Sequence, residues 1–269
     1  MELFSLRDKV IVVTGGTGIL GTSFVNAIAE AGGTVVIVGR REEACILKAD
    51  EVIAGGGKAL GIYANVLEEE SLVRAREKIL ATFGKIDRLV NAAGGNVPEA
   101  VVENDADIFS MNIEGMKKAL VLNLWGTIIP SQVFGAAMAK AGKGSIVNIS
   151  SVSPKNALTK VLGYSMGKAA IDIYTKWFAV EVANRFGDKI RVNAIAPGFF
   201  LTNQNRTLLT NPDGTYKDRA HKIIQQTPFK KFGMPDDLKG ALIYLLSDAS
   251  SFVTGSEILV DGGFTKFSG

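Results

Sequence analysis

A tyrosine and a lysine stand four residues apart in "YSMGK", at Tyr164 and Lys168. On a helix this spacing puts both side chains on one face, so the Lys168 ammonium group is expected to lower the pKa of Tyr164 from its usual value of about 10. Such a phenol can give a proton to a carbonyl oxygen that is becoming an alkoxide. An exposed helix could carry the same pair for no chemical reason. A catalytic role for the pair is favoured by Ser151, which lies at the end of a predicted strand just upstream.

A glycine-rich stretch, "TGGTGILG", follows the apolar run "KVIVV". Its glycines fit G-x-G-x-x-G counted from Gly16 and T-G-x-x-G-x-x-G counted from Thr14, and they fail a third dinucleotide fingerprint, T-G-x-x-x-G-x-G, at position 19. By itself, a glycine-rich stretch of this kind could form a turn that binds nothing. Between a predicted strand and a predicted helix, it lets backbone N–H groups approach a pyrophosphate. The residues expected to contact a dinucleotide here are Gly15, Thr17, Gly18, Ile19 and Gly21.

The end of the second predicted strand bears on the choice of cofactor. Enzymes that select NAD usually place a carboxylate there, which binds the adenosine ribose hydroxyl groups. This chain has Gly39 at that position, followed by Arg40 and Arg41. A guanidinium can pair with a 2′-phosphate, and no acid repels it. The sequence therefore favours NADP(H), with Arg40 as its partner, and leaves NAD(H) open, since two solvated arginines could equally begin a helix.

The elements that must position these residues alternate along the chain. Strands buried on both faces are predicted from β-branched runs at 9–14, 34–38, 58–63, 87–91, 145–149, 189–195 and 256–260. Helices are predicted near 18–32, 41–55, 68–83, 112–141, 161–187 and 235–248. This alternation predicts a doubly wound, Rossmann-type α/β fold in which one domain, 1–269, has a parallel sheet with helices on both faces. Segments 95–111 and 200–228 fit neither period, and both follow strands, so we expect them to be substrate loops.

Composition excludes several classes of protein. A net charge of +3 without a basic block argues against nucleic-acid binding. The single cysteine, Cys45, cannot form an intramolecular disulfide and fits a cytoplasmic protein. The N-terminal residues do not resemble a signal peptide. No cluster has metal-ligand spacing, so no metal is predicted, and the lone histidine, His221, is expected in a loop or on the surface.

One uncharged segment, 119–139, is long enough to span a bilayer. Asn123, Thr127 and Ser131 recur along it every four residues, which lines them along one helix face. Polar groups are costly in a membrane, so a buried helix of a protein without membrane spans is the preferred interpretation. Together with the apolar segment 169–183, it carries more apolar surface than one sheet face covers, which predicts packing against a second copy of the chain.

Further motifs occur in a fixed order: "NAAG" at 91–94, "NLWG" at 123–126, "IVNISS" at 146–151, "YSMGK" at 164–168, "VNAIAPG" at 192–198 and "VTGSEILVDGG" at 253–263. In these motifs the chain resembles the short-chain dehydrogenase/reductases over nearly its whole length. Within that family it resembles the compact branch. This chain has Ile19 where the compact branch is expected to have its middle glycine, and Gly18 supplies the flexibility one residue earlier. The resemblance implies an NAD(P)-dependent oxidoreductase, and a homotetramer with two-fold symmetry.

The resemblance also implies roles for particular residues. Ser151 would bind the substrate oxygen, Tyr164 would be the acid and base, and Lys168 would also hold the nicotinamide ribose. Asn123 would anchor a proton-relay water, a role compatible with that of a helix-kink residue. The further cofactor contacts that it implies are Asn65, which replaces a usual aspartate, Val66, Asn91, Ala93, Gly94, Pro197, Gly198 and Thr202.

Four longer stretches, "AGGN" at 93–96, "NLWGTIIPSQVF" at 123–134, "LTKVLGYS" at 158–165 and "APGFFLTNQNRTLLTNPDG" at 196–214, are similar to the D-mannonate oxidoreductase (fructuronate reductase) branch of the family. That similarity implies interconversion of D-fructuronate and D-mannonate. A sugar acid needs a cation and several amides in its pocket. Besides Ser151, the candidates are Asn96, Lys160, Gln204, Asn205 and Arg206, although the two cations could also be solvated loop charges.

Other functions stay open at this point. The substrate could be another sugar acid or polyol, as for a gluconate 5-dehydrogenase, or a 3-ketoacyl group. A different class, a regulatory protein that binds dinucleotide without catalysis, shares the fold. The complete quartet of Asn123, Ser151, Tyr164 and Lys168 favours an enzyme.

Overall fold

The chain forms one parallel sheet between two layers of helices, in a computed structural model that describes residues 2–103, 105–202 and 205–267. The strands are β1 (Val10–Thr14), β2 (Thr34–Gly39), β3 (Lys58–Tyr63), β4 (Arg88–Asn91), β5 (Gly144–Ile149), β6 (Ile190–Pro197) and β7 (Glu257–Val260). The helices are α1 (Ile19–Glu30), α2 (Glu42–Ala54), α3 (Glu69–Phe83), α4 (Ile113–Ala141), α5 (Leu162–Phe186), α6 (Arg206–Leu209), α7 (Asp218–Gln226) and α8 (Lys239–Leu246). The strand order is β3-β2-β1-β4-β5-β6-β7, and every pairing is parallel, which confirms the doubly wound α/β class.

The two faces of the sheet bury alternate residues of each strand. On β1, Ile11 and Val13 pack toward α1, α2 and α8, whereas Val10 and Val12 pack toward α3, α4 and α5. Both layers therefore draw on the β-branched residues from which the strands were predicted. The expectation of burial on both faces is wrong for β3 and β7, which are partly exposed because each lies at an edge of the sheet.

The apolar helix α4 is a core helix of this fold. Among the described residues it is the one helix long and apolar enough to cross a membrane. It packs instead against the sheet, α3 and α5. Asn123, Thr127 and Ser131 are buried, and each side chain donates to the carbonyl oxygen four residues earlier, at 2.7–2.9 Å. These bonds satisfy polar groups whose burial would otherwise be costly.

Two segments differ from the predicted elements. The segment 200–228, predicted without a helix, contains α6 and α7, and α7 packs Ala220 and Ile223 into a small third core with Leu209 and Phe232. The predicted helix at 235–248 begins with a 3-10 turn, Pro235–Leu238, before α8. Among its described residues, segment 95–111 has only short 3-10 turns, in agreement with a loop after β4.

The contact between β3 and α2 gives a prediction about stability. A Cβ atom at Gly61 would lie 2.4 Å from backbone atoms of Cys45 and Ile46, so Gly61→Ala must push α2 away from the sheet. We expect it to lower the free energy of unfolding by about 1–3 kcal/mol. Gly240→Ala is the matched control, because its Cβ meets nothing within 4 Å and helix α8 should gain about 0.5–1 kcal/mol. Urea denaturation measures both, and equal stabilities would contradict the packing argument.

Candidate active site

A cleft of about 640 Å³ opens at the carboxyl ends of the strands. It lies where β1 and β4 are neighbours, while β1 connects onward to one side of the sheet and β4 to the other. In doubly wound sheets this switch point is where ligands bind. The predicted site residues that line the cleft are Gly15, Thr17, Gly18, Ile19, Gly21, Arg40, Val66, Ala93, Gly94, Ser151, Tyr164, Lys168, Pro197, Gly198 and Thr202.

The glycine-rich turn brings backbone close to the cleft floor. Gly15 has a φ of +67° and would place a Cβ 2.8 Å from the backbone of Ala93. A Cβ at Gly21 would lie 2.1 Å from the carbonyl oxygen of Gly15. Helix α1 begins at Ile19, directly after the turn, so its free N–H groups and positive dipole end lie at the cleft. This turn can therefore hold the pyrophosphate of a dinucleotide.

Three side chains of the predicted quartet meet deeper in the cleft. Tyr164 and Lys168 lie one turn apart in α5, with the Lys168 Nζ 5.5 Å from the centre of the phenol ring. The Nζ donates to the carbonyl oxygen of Ile149 at 2.7 Å. Ser151 lies just after β5, near enough to the Tyr164 phenol to lower its pKa, and its Oγ accepts from the backbone N–H of Ser153 at 3.1 Å. These groups surround a position where a carbonyl oxygen could bind.

The expectation that Lys168 lowers the pKa of Tyr164 is wrong for this arrangement. Burial raises the pKa of Tyr164, and the hydrogen bond with Ser151 offsets only part of that rise. Burial also lowers the pKa of Lys168 to about 8, against the opposing charge of Asp172. The phenol therefore keeps its proton at neutral pH, which is the state that a general acid needs.

Asn123 does not line the cleft but holds the loop that does. Its Oδ1 accepts from the Gly95 N–H at 3.0 Å, and its Nδ2 donates to the carbonyl oxygens of Gly95 and Ala119, both at 2.7 Å. A Cβ at Gly94 would lie 2.7 Å from that Oδ1. Asn123 thus fixes the backbone of the loop after β4 against α4.

Two predicted cofactor residues have side chains away from the cleft. Asn91 is buried at the end of β4, where its Nδ2 donates to Ser131 Oγ at 2.8 Å and to Asn148 Oδ1 at 2.9 Å. The side chain of Asn65 turns back to its own loop, donating to Glu68 at 2.6 Å and accepting from the Leu67 N–H at 3.2 Å. Neither side chain lines the cleft, and the cofactor contacts expected of these two residues stay predictions.

The predicted substrate residues are also not brought together in the cleft. The Lys160 Nζ pairs with Glu103 at 2.9 Å, and Arg206 begins α6 with an exposed side chain. Asn96 lies in the loop after β4, where its Oδ1 is buried and has no hydrogen-bond partner among the described residues. Gln204 lies outside the described residues. Of the candidates that the structure describes, Ser151 and Asn205 line the cleft.

The cleft also contains residues that the sequence did not single out. They are Leu20, Ala64, Ala92, Gly95, Leu122, Ile149, Ser150 and Phe200. Most are direct neighbours of the predicted motifs, and that adjacency was the available signal. Ser150 differs, because its Oγ donates to the carboxylate of Asp172, which also pairs with Lys155 at 2.6 Å. Lys155 pairs in turn with Glu257 of β7 at 2.7 Å, so the segment just after β5, which contains Ser151, is tied to the sheet edge.

The expectations that no metal ion is bound and that His221 lies outside the site stay predictions. Within residues 2–103, 105–202 and 205–267, no group of three acidic, histidine or cysteine side chains is placed to hold a metal ion. His221 lies on α7, where its ring meets that of Tyr216 edge-on at 6.1 Å, and it does not line the cleft. Cys45 is buried, and burial raises the pKa of its thiol to about 11.

Comparison with known proteins agrees with this geometry. A family model described as enoyl-(acyl carrier protein) reductase matches residues 17–265. The chain belongs to the short-chain dehydrogenase/reductase family. It is therefore an NAD(P)-dependent oxidoreductase that acts on alcohol or ketone groups.

Particular relatives are similar over the whole chain. An uncharacterized oxidoreductase of Bacillus subtilis, UxuB, is 43% identical, with 98% of each chain covered. The crystal structure of a candidate D-mannonate oxidoreductase from Haemophilus influenzae with bound NAD is 38% identical, with a TM-score of 0.89 over 98% of this chain and 97% of that one. A gluconate 5-dehydrogenase from Burkholderia cenocepacia, in complex with NADP and tartrate, is 30% identical, with a TM-score of 0.88 and 98% of each chain covered.

The place of Tyr164 in the cleft gives a prediction about catalysis. Tyr164→Phe removes only the hydroxyl, so we expect the folded structure and the dinucleotide affinity to persist while kcat falls by a factor on the order of 10² or more. Steady-state kinetics with a dinucleotide titration measures both quantities. Tyr63→Phe, an exposed tyrosine at the end of β3, is the matched control and should keep full activity. Substantial turnover by Tyr164→Phe would remove Tyr164 from the mechanism.

Proposed function

We propose that the protein interconverts the ketone and alcohol forms of a sugar acid, D-fructuronate and D-mannonate, with a nicotinamide dinucleotide. The observation that carries this proposal is the 38% identity, over 98% of the chain, with the candidate D-mannonate oxidoreductase. The gluconate 5-dehydrogenase also supports a sugar acid, because its structure contains tartrate, a small hydroxy acid, together with NADP.

The mechanism follows from the groups around the deep part of the cleft. A bound nicotinamide supplies or accepts the hydride. In the reduction, the Ser151 hydroxyl binds the carbonyl oxygen and the Tyr164 phenol donates its proton to the developing alkoxide. Lys168 would hold the nicotinamide ribose and stabilise the tyrosinate that results, and solvent returns the proton to Tyr164. Asn123 contributes by holding the loop after β4 beside these groups. In the oxidation, the tyrosinate removes the proton from the alcohol.

The substrate proposal predicts discrimination by charge. The purified protein is offered D-fructuronate, 5-keto-D-gluconate, D-fructose and a 3-oxoacyl thioester with NADPH, and D-mannonate with NADP. We expect kcat/KM for D-fructuronate to exceed that for D-fructose by about tenfold or more, because a charge-assisted hydrogen bond to the carboxylate contributes about 1.5–3 kcal/mol. The Tyr164→Phe variant is the control for background reduction.

Other outcomes would contradict the substrate but not the family. Equal turnover of acidic and neutral sugars would reject a carboxylate pocket. A preference for 5-keto-D-gluconate would identify the other sugar-acid branch, and a preference for the thioester a ketoacyl reductase. Dinucleotide binding without turnover of any of these substrates would favour the non-catalytic, regulatory class.

For the cofactor we propose NADP(H), with Arg40 as the partner of the 2′-phosphate. Arg40 and Arg41 line the cleft next to Gly39, and among the described residues neither has a carboxylate within ion-pair distance. Both guanidinium groups are therefore free to bind an anion. The related structures contain NAD in one case and NADP in the other, so the preference rests on these arginines.

Loss of the Arg40 guanidinium tests this preference. We expect Arg40→Ala to raise the KM for NADPH by roughly 10- to 100-fold and to leave the KM for NADH nearly unchanged, because only NADPH carries the 2′-phosphate. Arg74→Ala, an exposed arginine of α3 outside the cleft, is the matched control. A lower KM for NADH than for NADPH in the wild type, unaffected by Arg40→Ala, would refute the proposal.

We further propose a cytoplasmic homotetramer in which each chain is one domain. Large apolar side chains on the outer faces of α4 and α5, Trp125, Ile173, Trp177 and Val180, are 48–64% exposed. An apolar surface of this kind favours packing against a second copy of the same helices.

A further inference from the structure

The structure places a cation that the sequence analysis passed over next to the substrate loops. Arg219 lies in α7, and its guanidinium donates to the Thr159 Oγ1 at 3.1 Å and to the Thr159 carbonyl oxygen at 3.3 Å. In the part of the chain that the structure describes, no carboxylate lies within 4.0 Å of it. Burial lowers its pKa, and no neighbouring charge opposes that shift. Arg219 is thus a partly buried charge without a counter-ion.

Three loops meet where Arg219 is anchored. Thr159 and Lys160 belong to the loop between β5 and α5, which starts at Ser151 and ends just before Tyr164. The loop after β4 joins it there, since the Val102 N–H donates to the Lys160 carbonyl oxygen at 2.9 Å. The third is the segment that follows β6, which contains Arg219 in helix α7. Like Lys160 and Arg206, Arg219 does not line the cleft itself. It lies where both predicted substrate segments meet the loop that starts at Ser151.

The cations predicted from the sequence are less suited to a substrate carboxylate. The Lys160 ammonium is already neutralised by Glu103 at 2.9 Å, and its backbone has a φ of +75° that fixes the direction of the loop. Arg206 is exposed, and Lys217 donates to the Thr207 carbonyl oxygen at 2.7 Å. A guanidinium has five N–H donors, and two bonds to Thr159 leave three for another acceptor.

We propose that Arg219 binds the carboxylate of the sugar-acid substrate and so determines the preference for acidic over neutral sugars. This inference rests on the proposed function. The planar guanidinium matches a carboxylate in a bidentate pair, and a carboxylate would supply the missing counter-ion. Helix α7 is held by its own small core, through Ala220 and Ile223, so the guanidinium is presented by a packed element and a flexible loop need not be ordered for it.

A purely structural role for Arg219, as a link between α7 and the loop at Thr159, predicts a different result. Loss of such a link would disturb the cleft for every substrate and for the dinucleotide. The carboxylate role predicts an effect on acidic substrates alone, and mainly on KM. The two roles are therefore separated by comparing an acidic and a neutral ketose in the same variant.

The experiment compares Arg219→Gln, Arg219→Lys and Lys222→Gln with the wild type. Lys222→Gln is the matched control, because it removes the same charge from an exposed position of the same helix. Each protein is assayed with D-fructuronate and D-fructose, and the Kd for NADPH is measured by fluorescence. We expect Arg219→Gln to raise the KM for D-fructuronate by roughly 10- to 100-fold, with kcat, the D-fructose kinetics and the NADPH Kd nearly unchanged.

The two further variants sharpen this result. Arg219→Lys keeps the positive charge but cannot form a bidentate pair with a carboxylate. We therefore expect its KM for D-fructuronate to lie between those of the wild type and Arg219→Gln. Lys222→Gln should match the wild type with both sugars. An unchanged KM for D-fructuronate in Arg219→Gln, or an equal loss with both sugars, would overturn the role of Arg219 while the sugar-acid function stands. A wild type that does not prefer the acidic sugar would instead reject the proposed function, and the inference with it.

Discussion

The geometry of the cleft depends most on one buried amide, that of Asn123. Its hydrogen bonds hold the loop after β4 on helix α4. The same face of α4 continues to Ser131, which meets Asn91 at the end of β4, and Asn91 meets Asn148 of β5. A buried polar network allows few alternative arrangements, because any broken bond leaves an unsatisfied group away from water. The loop that lines the dinucleotide side of the cleft and the strand leading to Ser151 are thereby fixed to a single helix.

The order of the elements could be predicted because central parallel strands are buried on both faces and so appear as β-branched runs. The edge strands show the limit of that argument. Strand β3, with the sequence KALGIY, has Ile62 as its one β-branched residue, and with one neighbouring strand it is only partly covered. Helix α7 was missed for a related reason. Its buried positions are few, and they find their partners Leu209 and Phe232 in segments that local periodicity does not connect.

For the site residues, the sequence predicted which element each residue belongs to, but it did not predict which partner each side chain contacts. The turn at Gly15 and the pair in α5 follow from spacing along one element, so they lie where expected. Lys160 was expected to meet substrate, yet it pairs with Glu103, 57 residues away. The pKa of Tyr164 was misjudged because burial raises it, and spacing along the sequence does not predict how deeply a side chain is buried. Long-range partners decide such outcomes, and spacing contains no information about them.

The third core is small and separate from the two that cover the sheet. It consists of Leu209, Ala220, Ile223 and Phe232, with a few partly buried neighbours, and it supports only the segment after β6. A substitution there would act first on the packing of α7, because none of these four residues belongs to the two clusters that cover the sheet. We expect such a substitution to cost less stability than one at Asn123, whose loss would leave buried groups of Gly95 and Ala119 without their partner. Over evolutionary time, relatives built on this plan can diverge in what they recognise by accumulating changes in one peripheral helix while their chemistry stays constant.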